Sequence, residues 1–141
     1  MDASDLPSLD EIIHICSQVR WAKRLKEWRD RDVEHEGMVY TQSDMLPTAL
    51  AHLLERVYID GDLPPGTTLE QYNEVIRNLV TEPTSWIYEF LYHNFYPQWG
   101  FYNPETGWVA AFDAATGEVQ TALIAGEKEQ FFTKYPHIRL R

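Results

Sequence analysis

Two five-residue segments, Asn103-Pro104-Glu105-Thr106-Gly107 and Asp113-Ala114-Ala115-Thr116-Gly117, share one construction and follow each other closely. An Asn or Asp opens each by bonding its own backbone two residues on. A glycine closes each by taking the left-handed conformation that other residues avoid. The short apolar segments Trp108 to Phe112 and Glu118 to Ile124 lie between and after these turns, so this region must fold back on itself as antiparallel strands. Upstream, Trp86, Tyr88, Phe90 and Tyr92 alternate with Ile87, Glu89, Leu91 and His93. That period of two, rich in aromatics, favours a strand, and a helix starting at Pro83 also satisfies it. Phe131 to Leu140 reads as one more edge strand, or as a helical turn and tail.

The first eighty residues carry a different signal. Ser8, after Pro7, can cap a helix, with Glu11 as its reciprocal partner, and Ile12, Ile13, Cys16, Val19, Leu25 and Trp28 recur at helical spacing. This predicts a helix from about 9 to 30 with its bases on the opposite face. A second helix is expected from Ser43 or Asp44 to about Tyr58, with Pro47 tolerated in its first turn. The breakers from Asp60 to Gly66 form a loop. Thr67 with Glu70, or Thr68 with Gln71, then opens a third helix whose apolar side is Leu69, Tyr72, Val75, Ile76, Leu79 and Val80, closed by Pro83. The expected fold is a single α+β domain over 1–141, with three N-terminal helices in 1–82 followed by a three- to four-stranded antiparallel β-meander in 83–141.

At 44% hydrophobic residues the chain is neither disordered nor fibrous. Its 22 acids against 12 bases give a net charge of -10, which repels phosphate backbones and anionic membrane surfaces. The bases concentrate at 20–31 and 128–141, leaving an acidic body. Cys16 is the only cysteine, so neither a disulfide framework nor a multi-cysteine metal site is available. The acidic start Met1-Asp2-Ala3-Ser4-Asp5 does not have the basic character of a targeting peptide, and no apolar run reaches the ~20 residues of a membrane span. A cytoplasmic protein without membrane contact is expected.

The histidines at 14, 35, 52, 93 and 137 do not have the spacing of a helical metal pair, and no glycine-rich phosphate loop is present. No metal or cofactor is expected. His93 stands out because Asn94, Tyr96, Gln98 and Trp99 follow it, so polar and aromatic groups could converge there. Ten aromatics lie between Trp86 and Trp108 inclusive. Alternation should place about half of them on the sheet face away from the helices, where tyrosine and tryptophan anchor interfaces.

The order of three helices and a meander, with Asn103-Pro104-Glu105-Thr106-Gly107 and then Gly117-Glu118-Val119-Gln120-Thr121-Ala122-Leu123, resembles the transfer-RNA-cleaving toxin domain of colicin D and its group of small ribonuclease toxins. The likeness covers about residues 63 to 124. In that family a helical Lys-His pair and a tryptophan on the last strand do the chemistry. Here Glu55-Arg56-Val57-Tyr58 and Leu123 stand at those places, and Thr121 alone matches a hydroxyl of the family. The resemblance therefore implies a shared fold more than a shared activity.

Two functions follow as expectations. The leading one is a non-enzymatic inhibitor or regulator that docks an acidic, aromatic surface on a basic protein such as a nuclease or other nucleic-acid enzyme, through Glu89, Tyr96, Trp99, Tyr102 and Glu105. The other is a metal-independent ribonuclease acting on RNA, with His93, His137, Lys134 and Thr121 as its catalytic groups and Arg139 nearby. Cleavage at a 2′-hydroxyl needs a base, an acid and a cation in one groove.

Overall fold

The computed structural model describes residues 7–125 and 132–141. They form two compact units, one built from the described residues up to Arg20 together with Val75–Arg141, the other from Trp21–Glu74. Helix α3 (Leu69–Thr81) begins in the second unit and ends in the first.

The first unit is built on a five-stranded antiparallel sheet. Strands β5 (Trp86–Tyr92), β6 (Tyr96–Tyr102), β7 (Trp108–Asp113) and β8 (Val119–Ile124) run up and down, and β9 (His137–Arg139) pairs with the free side of β5, giving the order β8-β7-β6-β5-β9. Both repeated turns form with one hydrogen-bond pattern. The Asn103 and Asp113 side chains accept from the amides of Glu105 and Ala115, at 2.9 and 2.8 Å. Gly107 and Gly117 donate back to the carbonyls of Asn103 and Asp113 with φ of 79° and 77°.

Register sets the two faces. Tyr88, Gly100, Ala111 and Thr121 stand opposite one another across the sheet and share a face. Phe132, just ahead of β9, lies over this face, and its ring settles where Gly100 has no side chain. Phe132 packs on Phe90 and Tyr88, with ring centroids 4.8 and 5.7 Å away, in a buried cluster that includes Tyr102, Val109 and Ala111. The opposite face buries Ile87, Trp99, Phe101, Ala110, Phe112 and Ala122. In the same unit, helix α1 (Leu9–Ser17) buries Ile12 and Cys16, and the end of α3 buries Ile76, Leu79 and Val80. Arg77 donates from Nε to the Ser17 carbonyl at 2.8 Å and ties these helices together. Burial pushes the Cys16 thiol far up from its ordinary value, so it remains a protonated core group.

In the second unit, β1 (Leu25–Glu27) pairs with β4 (Met45–Pro47), and β2 (Val33–His35) pairs with β3 (Met38–Tyr40) across a tight turn at Glu36 and Gly37. Helix α2 (Thr48–Leu54) widens into a π-helical turn over Glu55–Ile59. Trp28, Val33, Leu46, Ala51 and Leu54 form a buried cluster.

The expected order of three N-terminal helices and a short meander is therefore corrected. Among the described residues, four strands lie between α1 and α2, and the C-terminal sheet has five strands. The first helix ends at Ser17, with Val19 at φ 48° and the Arg20 carbonyl accepting from Val119 at 2.7 Å. Beyond Cys16 the apolar residues advance in steps of three. Each such step falls about 60° short of a full turn, so no single helical face collects them. They also serve different cores, Ile12 and Cys16 one, Trp28 the other. The second helix starts at Thr48 rather than near Ser43, because a residue before proline is pushed out of the helical region and Leu46-Pro47 extends as strand β4. The third helix has its predicted reciprocal cap between Thr68 and Gln71, at 2.9 and 3.1 Å. Phe131 lies outside the described residues; the edge strand that follows is β9.

Candidate functional site

The β5–β6 hairpin closes through His93 and Asn94, both with positive φ, 52° and 64°. This mirror-image geometry matches the twist of paired strands and leaves the next residue, Phe95, projecting from the tip. Phe95 is 81% exposed and Tyr96 is 62% exposed. Leu91 on the flank of the hairpin and Ile138 on β9 are also exposed. Glu89 stands opposite Ile138, and Leu91 follows it two residues on, so all three share a face.

Behind the tip lies a ring stack. Tyr135 meets Tyr92 at 5.3 Å, Phe90 at 6.0 Å and His93 at 6.1 Å between centroids. Lys134 holds its Nζ 5.1 Å from the Tyr135 ring, and His137 donates from Nδ1 to the Tyr135 carbonyl at 2.8 Å. Arg139 covers Trp86 at 4.1 Å. His93, Lys134 and His137 are thus grouped around one tyrosine. Thr121 is not with them: it sits on β8, four strands from His137 on β9, roughly 19 Å at ordinary strand spacing. The Phe132 ring occupies the face between these strands.

Of the residues expected to contact a partner, only Tyr96 belongs to the tip. Trp99 and Tyr102 are 5% and 6% exposed and are core residues. Glu105 is exposed in the turn at the far end of β6, and Glu89 is exposed on the flank. Phe95 is the residue that strand alternation misses, because it lies in the turn and belongs to neither face. Its signal is the preceding His93-Asn94 pair, since Asn tolerates the left-handed conformation of a tight hairpin.

The basic segment at 20–31 is not a helical stripe. Lys26 pairs with Glu55 at 2.6 Å, Arg29 with Glu27 at 3.0 Å, and Arg31 with Asp30 at 2.7 Å. Glu55 also meets the nearly buried Arg56 at 2.9 Å, and Arg56 reaches Asp60 at 3.0 Å, so the π turn holds a local charge network. Beside it, His52 is buried and donates from Nδ1 to the Thr48 carbonyl at 2.8 Å. Burial lowers its pKa to about 4, Lys26 and Arg56 push the same way, and the Thr48 bond and Glu55 oppose. The unfolded chain therefore takes up this proton near pH 6.5 and the folded chain only near 4. His52's contribution is intact above pH 6.5 and is lost as pH falls toward 4, by up to about 3 kcal/mol. Thermal unfolding between pH 4 and 8 should show this slope, and His52→Asn should flatten it; an unchanged slope would refute the assignment.

No helix among the described residues is long and apolar enough to cross a membrane, and no group of three or more potential metal-ligating side chains occurs among them. Comparison of the chain with protein-family models, with curated proteins and with solved structures returned no match.

Proposed function

We propose that this protein is a non-enzymatic binding module, an inhibitor or regulator, that inserts its β5–β6 hairpin tip into an apolar recess of a basic protein such as a nuclease. The observation that carries this reading is the exposure of Phe95 and Tyr96 on a turn next to the edge-to-face Tyr92–Tyr135 pair. Leaving such a side chain in water forgoes about 1.5–3 kcal/mol each, and large rings presented on a braced support are what interface hot spots are made of. The net charge of -10 supplies long-range attraction to a basic surface and speeds encounter at low salt.

The ribonuclease reading, which comes with the colicin D-like resemblance, has in its favour the grouping of His93, Lys134 and His137 around Tyr135. Against it stands Thr121 at the distant edge strand.

One experiment separates the two. Affinity capture from lysate with the wild-type chain is expected to retain a basic partner at low salt and release it at high salt. Phe95→Ala with Tyr96→Ala should weaken that partner at least ten-fold, since hot-spot truncations cost about 2 kcal/mol or more. The same retained protein with both variants, or no salt dependence, would overturn the docking reading. So would metal-free cleavage of transfer RNA that disappears in His93→Ala or His137→Ala.

A further inference from the structure

At the end of the sheet away from the hairpin tip lies an open pocket of about 260 Å³. Val75, Leu79 and Trp108 form its apolar wall, and Asn78, Glu82 and Thr106 bring polar groups to it. Asn103 also lines it, but its amide is already used: it donates to the hydroxyls of Thr84 and Ser85 at 3.0 and 3.2 Å and accepts from the Glu105 amide. Glu82 is the one charged residue among the described residues that line the pocket. Arg141 directs its guanidinium to the main-chain carbonyls of Ser85 and Glu82, at 2.8 and 3.2 Å.

This lining selects a ligand by chemistry. An indole beside aliphatic walls packs well against a methylene stem, and an aromatic ring attracts a cation carried on such a stem. The Thr106 hydroxyl already accepts from the Trp108 amide at 3.3 Å and one Glu82 oxygen from the Thr84 hydroxyl at 3.4 Å, so the selecting feature is the negative charge of Glu82, beside the Asn78 amide oxygen, which suits a cationic head group rich in donors. Lysine and arginine are the side chains of that kind.

We infer that the Trp108–Glu82 pocket receives a lysine or arginine side chain of the partner, a step that rests on the docking function proposed above. The pocket and the tip stand at opposite ends of β6, whose seven residues separate them by roughly 20 Å. A standard interface of about 800 Å² per partner reaches both. The tip then serves as the apolar anchor and the pocket as the reader of positive charge.

The test uses a defined probe, N-acetyl-lysine N-methylamide, against its uncharged norleucine analogue. Nitrogen–proton correlation spectra of the full chain report binding through the Trp108 indole, assigned with Trp108→Phe, and through the Asn78 side-chain amide. The lysine probe should shift both signals saturably, at least roughly five-fold more tightly than norleucine, and Glu82→Gln should remove that margin. Equal binding of the two probes, no shift with either, or a margin that survives Glu82→Gln would overturn the inference. Failure here with Phe95-dependent capture intact strikes the pocket alone. Lysine binding that persists while capture fails upholds the cation site and strikes the docking function.

Discussion

Phe132→Ala is expected to destabilise the protein by about 3–5 kcal/mol, the range for removing a fully enclosed aromatic ring from a core. Phe132 is 1% exposed and packs on Phe90 and Tyr88. It anchors the segment that carries Tyr135 to the back of the hairpin tip and His137 to β9, so its loss removes packing and loosens the support of the candidate site. Gly100 is the other half of this contact. A Cβ there would lie 2.7 Å from the Phe132 ring, far inside contact distance, and both the backbone strand and the enclosed ring resist moving. Gly100→Ala should therefore be strongly destabilising in the wild-type chain. In the Phe132→Ala background the added methyl meets empty space and its cost should largely vanish. Urea unfolding of the two single variants and the double variant measures that coupling. Costs that simply add would show that the ring does not occupy the Gly100 hollow.

The second large effect is expected at Gly117. Its φ of 77° already disfavours any side chain, and a Cβ would also collide with the Ile15 side chain on α1. Gly37 provides the comparison, since its φ is 78° and a Cβ there would meet nothing within 4 Å. Gly37→Ala should cost about 1–2 kcal/mol, the left-handed backbone penalty by itself. Gly117→Ala should cost about 3 kcal/mol or more, because the collision must be relieved in addition. Arg20, which donates to the Thr116 carbonyl at 2.6 Å, and the Arg20 carbonyl, which accepts from Val119, lie beside this turn and would be disturbed with it. Equal costs at the two glycines, read from thermal unfolding, would mean that α1 does not pack against this turn.

Legibility from the sequence followed the range of the forces involved. The turns at Asn103–Gly107 and Asp113–Gly117, and the caps at Ser8 and Thr68, were readable because each is closed by side-chain to backbone bonds within four residues. The aromatic alternation from Trp86 to Tyr92 likewise pointed to the strand that forms. The stretch from Arg20 to Pro47 misled, because spacing identifies apolar residues without saying which core each one joins. Trp28 kept a helical rhythm with Val19 and Leu25, yet it lies in the second unit's core. The site was less legible than the fold. Tyr96 was expected at a surface and is there, while Trp99 and Tyr102, chosen by the same reasoning, are core residues.

What the residues by themselves determined is therefore local: the acidic balance, the single thiol, the starts of the first and third helices and the two turns at Asn103–Gly107 and Asp113–Gly117 all follow from nearest-neighbour chemistry. Only the tertiary structure decided which rings meet water. Burial depends on what crosses over a strand from a distant part of the chain, and no pattern within β5 or β6 indicates that Phe132 will cover Gly100 while nothing described covers Phe95. The same long-range packing brings Lys134 and His137 to Tyr135 and leaves Thr121 on the opposite edge of the sheet.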